Sequence, residues 1–114
     1  MNGGVGMVAQ FESAVDRDGN GTVVIACSGD LDLSTRDQFE QALVTAIDDD
    51  VRVLRLDLRG LQFIDSTGLR ELICAERDYQ ARGVCLEVVP SPVVSRLLEL
   101  TDALRHFTIV ERPV

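Results

Sequence analysis

From Thr22 to the end of the chain, four short strand-like runs rich in Val, Ile and Leu are separated by three longer stretches with helical apolar spacing. No other feature constrains the fold as strongly. Strands joined through helices run parallel, and the crossovers between them are right-handed. The strand-like runs are Thr22–Ser28, Val51–Leu58, Val84–Val89 and Phe107–Glu111. The first helix takes Ser34 or Thr35 as its cap, because Thr35-x-x-Gln38 and Ser34-x-x-Asp37 both approximate a capping box. Its inward stripe is Phe39, Ala42, Leu43, Ala46 and Ile47, and it stops at Asp48-Asp49-Asp50, where three acids oppose the helix dipole. The second helix covers Ser66–Arg82, with Leu69, Leu72, Ile73 and Tyr79 inward and Gly83 in the C-terminal capping position. The third covers Val93–Leu104 through Val93, Val94, Leu97, Leu98 and Leu104, after the break Pro90-Ser91-Pro92.

Ahead of Thr22, Val8–Val15 alternates as one more strand, and Asp16–Gly21 reads as the turn of a hairpin. The same six residues match the D-x-D-x-N-G opening of a calcium loop. The acid that would close such a loop falls near Cys27, where there is none, so the turn is preferred and no metal is expected. The element order is β-β-α-β-α-β-α-β. It predicts a single α/β domain over residues 8–114 behind a flexible, glycine-containing tail at 1–7.

Charge narrows the function. The formal net charge is −8, which argues against nucleic acid as a partner, since phosphates require a basic footprint. All the basic side chains are Arg; there is no Lys. P-loop, Schiff-base and receiver-domain chemistry therefore fall away together, and Asp57 as a receiver-type acceptor falls with them. No apolar run approaches the ~18 residues of a membrane span and no secretory signal is visible, so a cytoplasmic protein without a membrane association is expected. Cys27, Cys74 and Cys85 sit in apolar surroundings without C-x-x-C spacing and read as buried, reduced thiols.

The topology brings distant residues together. The loops 29–34 and 59–66 both leave the C-terminal ends of parallel strands, so Asp30, Asp32, Asp65 and Ser66 should share one edge of the sheet. Ser66 opens the second helix, where backbone N–H groups and the helix dipole favour negative charge. Its hydroxyl suits either a helix cap or a phosphate acceptor. Catalysis is not indicated: Ile64 stands where a nucleophile elbow needs glycine, and the only histidine, His106, lies far along the chain. The loop acids lack a further ligand cluster and read as solvated.

Gly29-Asp30-Leu31-Asp32 with Ser34-Thr35, and Phe63-Ile64-Asp65-Ser66-Thr67-Gly68-Leu69, resemble the STAS domain family, and within it the single-domain anti-sigma factor antagonists. The resemblance runs from about residue 8 to 112 and includes Leu97–Leu104 as a third-helix segment. It implies a STAS-like mixed sheet with helices packed mainly on one face, and a non-enzymatic protein without cofactor. It also implies phosphorylation of Ser66, with Thr67 as a possible second acceptor, by a partner that is both serine kinase and anti-sigma factor. The unphosphorylated form binds that partner and releases its sigma factor, and a PP2C-type phosphatase restores the serine. The family's usual last helix, after the final strand, is lacking or shortened in a sequence that runs to Val114.

Asp30, Asp32, Asp65, Ser66, Thr67, Gly68 and Arg70 are the expected partner-binding residues. Gly68 either lets a partner approach or packs tightly on the sheet. Arg70 either pairs with a phosphate or partner acid or is simply solvated. Asp30 and Asp32 either meet a basic surface or serve solubility. The alternative reading is a STAS subunit of an ABC-type membrane-transport complex, holding the ATPase as a structural partner.

Overall fold

The computed structural model describes residues 10–111. The expected tail at 1–7, the opening of the first strand at Val8 and the last three residues lie outside them. Five strands, β1 (Phe11–Arg17), β2 (Thr22–Leu31), β3 (Val53–Ile64), β4 (Cys85–Val89) and β5 (Thr108–Ile109), form one sheet in chain order. β1 is antiparallel to β2, and β2 through β5 are parallel. The helices are α1 (Arg36–Ala46), α2 (Ser66–Ala81) and α3 (Pro92–Leu100), with a 3-10 turn at Leu104–His106.

Because each crossover steps to the next strand in the same direction, right-handed connections deliver all three helices to one face. Alternation along the strands confirms it. Val23, Ile25 and Cys27 of β2, Leu54, Leu56 and Leu58 of β3, and Leu86 and Val88 of β4 are buried against the helices. The residues between them, among them Ala26, Arg55, Asp57 and Glu87, are not. That open face is held by ion pairs, Arg55 with Glu87 at 2.9 Å and Arg59 with Asp57 at 2.8 Å. Each fully buried leucine contributes about 1.5–3 kcal/mol, so β3, with three in succession, anchors the core. Phe39 of α1 packs edge-on against Phe11, ring centroids 6.2 Å apart, and ties α1 to the β1 edge.

Several boundaries differ from those expected, each for a tertiary reason. The hairpin turn is shorter: Asp16 and Arg17 belong to β1, and Asp18 accepts from the N–H groups of Asn20 (2.7 Å) and Thr22 (3.0 Å), which holds its carboxyl below the usual range. β2 and β3 run on through the segments read as loops. Ser28 pairs with Gly60 after one register shift and Asp30 with Phe63 after a second, so Arg59-Gly60 lies within a bulged strand and not at its end. α3 stops at Leu100, not Leu104. Asp102 takes a left-handed conformation (φ 57°), and the Ala103 N–H returns to the Leu98 carbonyl at 2.9 Å, a closing motif usually signalled by glycine. β5 is only two residues long. Cys27 is buried, its thiol pushed up to about 12 mainly by desolvation, but Cys74 is half-buried and Cys85 exposed on the open face, against the expectation of three buried thiols. Among the described residues no helix follows β5, and no helix is long and apolar enough to cross a membrane.

Candidate functional site

The site forms where β2 and β3 end side by side. Asp30 pairs with Phe63 and Leu31 with Ile64; two residues past that last pair lie Leu33 on one strand's exit and Ser66 on the other's. The Asp65 N–H points back to the Leu31 carbonyl at 3.4 Å, tying the two exits together. Asp30, Asp32, Asp65 and Ser66 do therefore share one edge, as the topology requires, although Asp30 sits in β2 and not in a loop.

The α2 start is capped by the acid and not by the alcohol. Asp65 is extended (φ −116°, ψ −168°), and its carboxylate accepts from the Gly68 N–H at 3.0 Å. Its carbonyl accepts the Leu69 N–H at 2.9 Å, the first helical bond. Ser66 is then the first helical residue. It is exposed, with its hydroxyl relieved of capping. Thr67 is half-buried, and Arg70, one turn on, is exposed.

Gly68 is buried beneath them. A Cβ there would fall on the backbone carbonyl oxygen of Leu31 and lie 2.8 Å from Ile64 Cγ1. Of the two readings open for this glycine, tight packing on the sheet is the one the geometry carries: α2 enters so close to β2 that only hydrogen fits.

The α1 start is built differently. Neither Ser34 nor Thr35 caps the helix as expected; Thr35 occupies the cap position without a side-chain capping bond. Thr35 is only 1 % exposed, and its hydroxyl donates to the Asp30 carbonyl at 2.8 Å and accepts the Asp32 N–H at 3.0 Å. Asp32 accepts from the Ser34 hydroxyl (2.7 Å) and the Ser34 N–H (3.0 Å), which lowers its pKa, the hydroxyl being the larger cause. The turn 32–35 is thereby closed on itself.

Three residues outside the expected partner-binding set also stand at this edge. Thr35 is the buried strut of the β2–α1 turn. Leu33, at the apex of that turn, is 66 % exposed, and Phe63 is 47 % exposed on β3. Apolar spacing could not single them out, because exposure is a property of the assembled edge. Farther along α2, Glu71 faces Glu40 of α1; burial first, then that neighbouring acid, raises its pKa to about 7. Among the described residues no group of three or more His, Cys, Asp or Glu side chains is arranged to hold a metal ion.

Comparison with known proteins agrees with this geometry. The STAS domain family model matches residues 13–113. The anti-sigma-F factor antagonist RsfB of Mycobacterium tuberculosis is 30% identical over 95 residues, covering 80% of this chain and 77% of that protein. The crystal structure of an anti-sigma factor antagonist from Mycobacterium paratuberculosis superimposes with a TM-score of 0.76 at 28% identity, covering 90% of this chain and 86% of that one. The unphosphorylated form of the anti-sigma factor antagonist SpoIIAA, a Bacillus protein, shares the fold with a TM-score of 0.66 at 23% identity, over 89% of this chain and 90% of that one.

Proposed function

The chain belongs to the STAS domain family, among its anti-sigma factor antagonists, and from that premise we propose that Ser66 is the phosphorylation switch of a partner-binding edge. Unphosphorylated, the chain binds an anti-sigma factor that is also its serine kinase and so releases a sigma factor; phosphorylated, it lets go, and a PP2C-type phosphatase resets it. One observation carries the reading. Ser66 is an exposed alcohol at a helix N-terminus whose capping is already done by Asp65. Among the described residues its hydroxyl makes no hydrogen bond that phosphorylation would undo.

Magnitudes favour a switch at a surface over one that unfolds the domain. A phosphate brings about −1.5 to −2 charges. The α2 dipole favours it by roughly 0.3–1 kcal/mol, and the adjacent Asp65 carboxylate offsets part of that. The fold is thus nearly indifferent. An interface that covered Ser66 would bury an unpaired dianion at a cost of several kcal/mol; about 4 kcal/mol is nearly a thousandfold in affinity. SpoIIAA has been solved both unphosphorylated and phosphorylated, which is consistent with a fold that tolerates the modification.

The fold is also similar to part of SLC26A9, whose murine form is an anion transporter, at 18% identity and 16% of that chain's length, a likeness that extends to the fold alone. The relative at 30% identity favours the antagonist reading. The test is phosphorylation by ATP and the candidate anti-sigma kinase, with mass spectrometry locating the phosphate. Ser66→Asp is expected to lose binding by two to three orders of magnitude, about 3–4 kcal/mol, while melting like the parent. Undiminished binding by that variant would defeat the proposal.

A further inference from the structure

Two exposed apolar side chains belong to the edge that carries Ser66: Leu33, two residues past the last β2–β3 pair, and Phe63, one residue before it. Leu33 projects from the apex of the closed 32–35 turn, and Phe63 from the last residues of β3. The turn beneath Leu33 is rigid: Thr35 N–H to the Asp32 carbonyl, Asp32 N–H to the Thr35 hydroxyl, and Ser34 N–H to the Asp32 carboxylate. A leucine fixed outward on such a support loses little conformational freedom when a surface closes over it. Asp30, Asp32 and Asp65 stand at the same pair of strand exits, with Arg36 and Arg70 as the nearby cations in sequence.

Resting on the switch reading above, we infer that Leu33 and Phe63 are the apolar anchors by which this edge holds its anti-sigma partner. The partner's docking surface is accordingly an apolar pocket with basic residues at its rim, complementary to Asp30, Asp32 and Asp65. Anchoring and switching are then separate. The apolar pair supplies affinity, and the charge state of Ser66 decides whether the pocket can close. Buried apolar anchors in the middle of an interface dominate binding, whereas rim charges act mainly on approach and specificity.

The experiment uses a purified anti-sigma kinase from the same genome that binds the wild-type chain. Leu33→Asp and Phe63→Thr are compared with Leu100→Ala, which trims an equally exposed leucine (72 %) at the far end of α3. Phe63→Thr replaces one strand-favouring residue by another, and Leu33 is not among the residues of the buried core. Each is expected to weaken binding about tenfold or more while Leu100→Ala stays within about twofold. KM for Ser66 phosphorylation should rise with kcat unchanged, and because partial unfolding of this protein substrate would raise the apparent KM in the same way, each variant must also melt within a few degrees of the parent. Binding within twofold of wild type for both variants would overturn the anchors and leave the switch standing. Loss of the Ser66→Asp effect, with Leu33→Asp still weakened, would overturn the switch instead, and with it the coupling inferred here.

Discussion

α1 and α2 start at the same edge of the sheet, each after a parallel strand and each with a hydroxyl residue at its threshold, yet the two hydroxyls have opposite roles. Thr35 is buried and turned back into its turn, bonded to the Asp30 carbonyl and the Asp32 N–H. Ser66 faces solvent, its capping function taken over by the preceding acid. A hydroxyl engaged in folding cannot be modified without loss of structure. One left idle beside a helix N-terminus can gain and lose a phosphate at little cost to the fold. The sequence motifs Asp32-Leu33-Ser34-Thr35 and Asp65-Ser66-Thr67 look alike on paper; the difference lies in which atom the backbone recruits.

That contrast can be broken experimentally, beginning at the junction that holds the two starts together. Gly68→Ala would push a methyl into the Leu31 carbonyl and Ile64, and a loss of about 3 kcal/mol is expected in urea unfolding. A neutral result would mean that α2 is free to shift away from β2. Thr35→Val keeps the volume but takes the hydroxyl partner from two part-buried backbone groups, so about 2 kcal/mol should be lost. If Thr35→Val is as stable as the parent, Thr35 is no more structural than Ser66 and the comparison collapses.

At the α2 start the order of effects should invert between neighbours. Asp65→Ala removes the cap and should cost about 1 kcal/mol, whereas Ser66→Ala should move stability by less than about 0.5 kcal/mol. Thermal melts of the pair decide it; a larger loss from Ser66→Ala would show the alcohol to be structural.

The smallest effect is one of acid titration. Asp32 is held below the usual carboxylate range by Ser34, so its contribution to stability is present above the unfolded value of 3.8 and is lost as pH falls through its lower folded value. Carboxyl NMR titration should place Asp32 below a free aspartate, and Ser34→Ala should move it back up. An unchanged midpoint would remove the hydroxyl as the cause.

Much of this architecture is legible in the residues. The strand and helix alternation, the parallel order it dictates and the meeting of Asp30, Asp32, Asp65 and Ser66 on one edge all follow from apolar periodicity. The ends of elements do not. Arg59-Gly60 looks like a turn, and β3 continues past it because β2 offers a backbone partner as far as Leu31. Thr101-Asp102 carries no glycine to mark the end of α3, and Asp102 adopts the left-handed conformation because Leu98 stands ready to accept the returning N–H.

By itself, then, the sequence determined the element order and the address of the serine, since periodicity and chirality act locally and along the chain. Only the tertiary structure decided which hydroxyl is spent on the fold, why residue 68 has no side chain, and that Leu33 and Phe63 stand uncovered beside Ser66. Those outcomes depend on atoms brought together from separate strands: a carbonyl from β2 beneath α2, a threonine folded back on an aspartate. No reading of neighbours in sequence contains those distances.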